Sequence, residues 1–267
     1  MRHRNSLGVV LAAALIAWGY TIAAAADKPG MDSAAVDKAF EALKTLDWGQ
    51  DLKPLKPIDD AIPATYGDAA ARKALATRLA TVLGSGAPRA AKDYACRKLR
   101  VIGSVESVPA LAALLADKDL SHMARYALER IPAPEAAQAM RDALPKLAGA
   151  LKVGAIGSLG VRRDAASVAV LAPLLEDAEA AVASAAACAL GNIGSPEAAT
   201  ALSAATKKAL PAVKAAVADG ALACAEQLLA DGRKAEAIAV YKSLTGADQS
   251  KQVRLAATRG LLSAAGK

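Results

Sequence analysis

The chain has 267 residues, 33 Lys plus Arg against 26 Asp plus Glu, and 54% apolar residues with only 3% aromatics. Alanine supplies 72 positions. It is the strongest helix former, so the composition argues for an all-α chain and against strand-rich folds. Apolar content this high with 22% charge argues against disorder, and the only histidines, His3 and His122, leave little for histidine-based metal or triad chemistry.

In chain order, Arg2 and Arg4 precede an uncharged stretch from Leu7 to Ala26 that closes on Ala24-Ala25-Ala26, and the first acid is Asp27. A positive start, an apolar run and a small-residue site form a secretory signal pattern, so residues 1–26 are expected to be a leader cleaved near Ala26. The alternative is an uncleaved anchor, since ~20 apolar residues can span a bilayer. Export to the periplasm or secreted space is therefore the expectation, with membrane attachment only if the leader is retained.

Residues 27–67 read as an N-terminal helical cap, with a helix near Ser33 to Leu46, a loop, and a short helix near Ile58 to Ile62. Phe40 and Trp48 are its bulky aromatics. They are expected to cover the exposed end of whatever follows. Trp48 is also a candidate anchor for a docking partner, because aromatics carry large buried area at interfaces.

From Asp68 onward, residues 68–267 show self-similar phrases with landmarks at Ile102, Ile131, Leu159 and Ile193. Glycine, proline and aspartate breaks divide the stretch into twelve predicted helices, about six antiparallel pairs. Pro109, Pro134 and Pro196 fall in or near first helical turns, where a missing N–H costs little. Val108, Leu111, Leu114 and Leu115 form one apolar stripe, and Val168, Leu171, Leu174 and Leu175 repeat it. No single pair can bury its apolar face alone, so the pairs must stack. Replacing Leu114 or Leu190 is expected to damage the interfaces between repeats.

The residues able to carry chemistry have structural readings. Cys96, Cys188 and Cys224 are widely spaced among alanines and leucines and are expected to be buried, with no disulfide framework or zinc ribbon. Gly154, Gly157 and Gly160 have the wrong spacing and context for a phosphate loop, so a close helix contact is expected there. Asp59, Asp60, Asp117, Asp119, Glu176 and Asp177 stand at turns, where acids cap helices. No calcium loop or nucleophile for His122 is recognisable, so no catalytic, metal or cofactor site is assigned. Basic residues are interspersed with acids and lack stacking aromatics, which argues against nucleic acid. Arg97, Arg125, Lys152 and Lys214 are the candidate cations for one face meeting an acidic partner, against the plainer reading of solvated helix surfaces.

The phrases DAEAAVASAAACALGNIGSPEAATAL, DKDLSHMARYALERIPAPEAA and DQSKQVRLAATRGLL resemble short HEAT-like repeats, including those of phycobilin-lyase relatives. Val253-Arg254 matches the Val-Arg step of such repeats and Val213-Lys214 approximates it, whereas Leu120-Ser121 and Val182-Ala183 lack the basic residue. The segment around AEAIAVYKSL also resembles a tetratricopeptide helix, which leaves the last two pairs open between two repeat types. The resemblance implies a right-handed α-solenoid that binds a protein partner and is not an enzyme. The competing expectations are a cofactor-handling lyase relative, with a pocket around His122 and Tyr126, and a structural envelope component.

Overall fold

The computed structural model describes residues 33–266, so the leader assignment lies outside the described residues. Among them are fourteen α-helices and no strand. The chain is an all-α solenoid. No described helix is long and apolar enough to cross a membrane.

Two helices, α1 (Ser33–Leu43) and α2 (Lys56–Ala64), precede the stack. Twelve more follow: α3 (Ala69–Leu83), α4 (Arg89–Ile102), α5 (Val108–Ala112), α6 (Ser121–Leu128), α7 (Pro134–Ala143), α8 (Gly149–Val161), α9 (Val168–Leu171), α10 (Ala180–Ile193), α11 (Pro196–Ala205), α12 (Lys214–Ala230), α13 (Lys234–Ser243) and α14 (Lys251–Gly266). The even-numbered members from α4 to α14 pack on one another in order as one layer. In the other layer α3 packs on α5 and α5 on α7, and the 3-10 turn after α9 packs on α11, which packs on α13. A single apolar core runs through the stack from Val36 to Ala257 and contains all four landmarks.

Turn chemistry sets the divisions. Asp117 Oδ1 accepts from the backbone N–H of Asp119 and Leu120 at 2.8 and 2.9 Å, and Asp177 Oδ1 accepts from Glu179 N–H at 2.9 Å. All three donors lie ahead of α6 and α10, so these acids close the preceding turns; neither helix has a side-chain cap, contrary to expectation. Prolines 109, 134 and 196 occupy the first turns of α5, α7 and α11. Asp59 and Asp60 stand inside α2 and not at a turn: Asp59 accepts from the Tyr94 hydroxyl at 2.7 Å and pairs with Lys98 Nζ at 2.6 Å, and Asp60 pairs with Lys56 at 2.6 Å.

Two apolar stripes are shorter helices than their spacing predicts. Leu114 and Leu115 are buried, but in the turn after α5. The second stripe leaves the α-helix at Leu171 and continues as a 3-10 turn, Ala172–Glu176, with Pro173 in its first positions. Proline has no N–H to continue the α ladder.

Small residues decide how closely the layers approach. A β-carbon on Gly160 would stand 2.7 Å from Ala189 Cα, and one on Gly191 would stand 2.7 Å from the Gly220 carbonyl oxygen. Helices α8, α10 and α12 therefore touch backbone to backbone. Gly154 makes room instead for the Arg125 guanidinium, and Gly157 faces open space. Cys96 and Cys224 are buried, whereas Cys188 is exposed, contrary to expectation. Its helix position points away from both neighbours, so alanine-rich surroundings in sequence did not mean burial.

Candidate partner-binding surface

Residues 33–66 dock onto α3 and α4 through a few specific contacts. Arg78 of α3 pairs with Asp37 of α1 at 2.8 Å and lies 4.0 Å over the Phe40 ring. Tyr94 and Lys98 of α4 both reach Asp59 of α2, with the Lys98 ammonium 4.6 Å from the Tyr94 ring centre. Burial, then the hydrogen bond to Asp59, raises the Tyr94 phenol well above its ordinary pKa.

Phe40 is buried, as a capping aromatic should be. Trp48 is not: it is 61% exposed, in the loop after α1. The reason is local. Helix α1 stops at Leu43, the Trp48 N–H donates to Asp47 Oδ1 at 2.8 Å, and Gly49 takes φ +81°, which turns the chain away from the core.

The Trp48 loop lies over α4 and encloses a cavity of about 170 Å³ with Leu46, Leu52, Ala90, Asp93, Tyr94 and Arg97 among its lining residues. Two candidates chosen from sequence, Trp48 and Arg97, thus meet in one place. Arg97 donates to Asp93 Oδ2 at 2.6 Å while its side chain stays 58% exposed. The pair fixes the guanidinium at the rim of an apolar cavity. Asp93 and Tyr94 were not singled out from sequence; the i, i+4 spacing of Asp93 and Arg97 on one helix was the available signal.

The other three cations stand elsewhere and brace the stack. Arg125 of α6 donates to Ser158 Oγ of α8 at 3.3 Å, and that hydroxyl donates to Glu129 Oε1 at 2.7 Å. Burial pulls the Arg125 pKa down, with Glu129 opposing. Lys152 of α8 pairs with Asp177 at 2.9 Å, and Lys214 of α12 donates to the Asp248 carbonyl at 2.8 Å. Each contact joins one repeat to the turn or helix of the next, so these side chains are not simply solvated. Arg162 does the same, donating to the carbonyls of Leu128, Ile131 and Ala133.

His122 and Tyr126 share an exposed face of α6, where the Arg100 guanidinium lies 4.3 Å over the Tyr126 ring. Burial pushes the Cys96 thiol up to about 12, with Asp93 adding to the rise, and the Cys224 thiol to about 11. Among the described residues no group of three or more His, Cys, Asp or Glu side chains converges as a metal site.

Residues 146–223, spanning α8 to the middle of α12, match the family model of HEAT repeats. The repeats of this stretch are HEAT-like. A stack of HEAT repeats is a scaffold suited to protein binding. No curated protein matches the chain. Among solved structures it is similar to one engineered protein at 20% identity, covering 90% of this chain and 71% of that one with a TM-score of 0.42. A second engineered protein is also 20% identical, with 78% and 96% covered and a TM-score of 0.38. Human deoxyhypusine hydroxylase in complex with glycerol is 15% identical, with 88% and 97% covered and a TM-score of 0.36.

Proposed function

We propose that the chain is a non-catalytic scaffold, exported to the periplasm or secreted space, that binds a protein partner without a cofactor. The observation that carries the reading is the meeting of Trp48, Tyr94 and Arg97 on one cavity. Trp, Tyr and Arg are the residue types that dominate interface energetics, and they do so in apolar pockets that a partner side chain can fill. The non-catalytic part is supported by where the acids with the most strongly raised values lie: Tyr94, Cys96 and Cys224 owe them first to burial in packing. Export rests on the leader pattern of residues 1–26.

Affinity capture from an envelope extract, with the wild type beside Trp48→Ala and Arg97→Ala, tests the binding. A specific partner retained by the wild type and depleted at least tenfold by Trp48→Ala supports it, since truncating a central anchor costs about 2 kcal/mol or more. Capture of no specific partner, or retention by Trp48→Ala at wild-type level, refutes it. Amino-terminal sequencing of the exported product should start near Asp27; a start at Met1 in the membrane fraction would overturn release by cleavage.

A further inference from the structure

Among the described residues the Nε atoms of Arg100, Arg125 and Arg162 are buried without a hydrogen-bond partner. Arg125 and Arg162 use their other nitrogens on Ser158 and on backbone carbonyls of the neighbouring repeat. Arg100 does not. No described residue accepts from its guanidinium, which instead lies 4.3 Å over the Tyr126 ring. The acids nearest to these two residues in sequence are engaged elsewhere: Asp93 holds Arg97, Glu106 pairs with Lys73, and Glu129 accepts from Ser158 of α8. Burial of Nε has therefore removed water from a charged group and supplied nothing in return, which folded proteins seldom leave without a use. Arg100 stands three residues after Arg97 on α4, and residues three apart are neighbours on a helix surface. Arg97 lines the Trp48 cavity, so the unanswered guanidinium lies one turn beyond that cavity on the same face.

We infer that Arg100 binds a carboxylate of the partner protein, an Asp or Glu side chain on an extended segment whose apolar side chain fills the Trp48 cavity. The inference deepens the scaffold reading and rests on it. A carboxylate is the occupant because its two oxygens match the planar fork of a guanidinium. Stacking on Tyr126 takes one face of that fork and leaves the donors in its plane unused, while the added negative charge compensates the water lost at Nε. The cavity of about 170 Å³ has room for one side chain of leucine size, since ~150 Å³ of apolar space holds a benzene. Helix α4 advances about 4.5 Å from Arg97 to Arg100. An extended chain sets alternate side chains on one side about 6.6 Å apart. The acid thus stands two residues from the apolar anchor. Charge complementarity at Arg100 fixes the register of a segment that the cavity alone would hold loosely.

The probe is a fluorescein-labelled Gly/Ser peptide with a central Leu-Ser-Glu; its twins carry Leu-Ser-Gln and Ala-Ser-Glu. Fluorescence anisotropy with the full chain should show the first bound at least tenfold tighter than either twin, the difference a charge-assisted hydrogen bond or a filled cavity makes. Arg100→Gln should abolish the preference for glutamate over glutamine and leave binding of the glutamine peptide unchanged. Arg100→Lys should restore only part of it, because an ammonium lacks the fork. Trp48→Ala should weaken both leucine peptides. Arg100→Gln takes no hydrogen bond out of the fold, so its melting should stay near the wild-type value; a lower melt with equal loss of both leucine peptides would mark Arg100 as structural and overturn the inference. A glutamate preference that survives Arg100→Gln, equal binding of the two leucine peptides, or no binding of any peptide would overturn it too. So would inorganic phosphate that binds through Arg100 where the glutamate peptide does not. If Arg100→Glu captures the envelope partner at full level and Trp48→Ala does not, this inference fails while the scaffold reading stands; if both capture it at full level, the scaffold reading fails as well.

Discussion

The close approach of α10 and α12 gives the sharpest test of the stack. A β-carbon at Gly191 would lie 2.7 Å from the Gly220 carbonyl oxygen, where ordinary contact begins at 3.4 Å. Backbone faces backbone, so no side chain can swing aside, and the helices must part by roughly 0.7 Å, a gap that forfeits a quarter to a half of each dispersion contact it opens. Overpacking of this kind costs about 1–3 kcal/mol. Against that stands at most about 1 kcal/mol from replacing a helical glycine with alanine, here in the last turn of α10. Gly191→Ala should therefore lose ~1 kcal/mol net. Gly157→Ala in α8 is the control, because nothing lies within 4 Å of a β-carbon there. It should gain up to about 1 kcal/mol. The two variants should melt about 4–8 °C apart, at 2–4 °C per kcal/mol for a chain of this size. Far-UV circular dichroism melts and urea titrations measure the difference. If Gly191→Ala melts at or above Gly157→Ala, the backbone contact between α10 and α12 is not what the geometry says.

Leu190 is fully buried, and Leu190→Ala should cost ~2–5 kcal/mol, with α8 and α12 losing amide-exchange protection first; an unchanged melting curve would remove Leu190 from the core. A thiol reagent should modify Cys188 in the native protein and reach Cys96 and Cys224 only after denaturation; fast native reaction at all three would contradict their burial. The raised thiol of Cys96 also sets a pH dependence. Its unfolded form ionises near 9.0 and its folded form near 12, so its stabilisation is complete below pH 9 and is lost as pH rises toward 12. Urea midpoints for Cys96→Ala should fall less steeply above pH 9 than those of the wild type; parallel curves would refute the assignment. Tyr94→Phe removes the hydrogen bond to Asp59 and should cost about 1 kcal/mol, seen as faster amide exchange in α2; unchanged exchange there would show that the bond does not hold α2 in place.

Much of the fold was readable because stacking converts a repeated pattern into a repeated contact. The landmarks at Ile102, Ile131, Leu159 and Ile193 all fall in the core, since each stands near or just past the C-terminal end of an even-numbered helix. Helix length was less readable. Val108 to Leu115 has the spacing of a longer helix, yet burial needs only that the leucines face inward, and a turn does this as well as a helix. Cys188 shows the same limit from the other side: alanine lines both buried and exposed faces of α10, so its neighbours in sequence carry no signal about which way a residue points.

The surface was legible only by residue type. Trp48 and Arg97 are 49 positions apart in the chain, and nothing in their spacing says that they share a cavity; the loop that brings them together depends on Gly49, Asp47 and the end of α1. Arg125, Lys152 and Lys214 look equivalent to Arg97 in a linear reading. They differ because the next repeat supplies Ser158, Asp177 and Asp248 within reach, whereas Arg97 finds its acid on its own helix and keeps a free edge toward solvent. A cation in a stacked repeat is therefore available to a partner only when the following repeat offers it no acceptor.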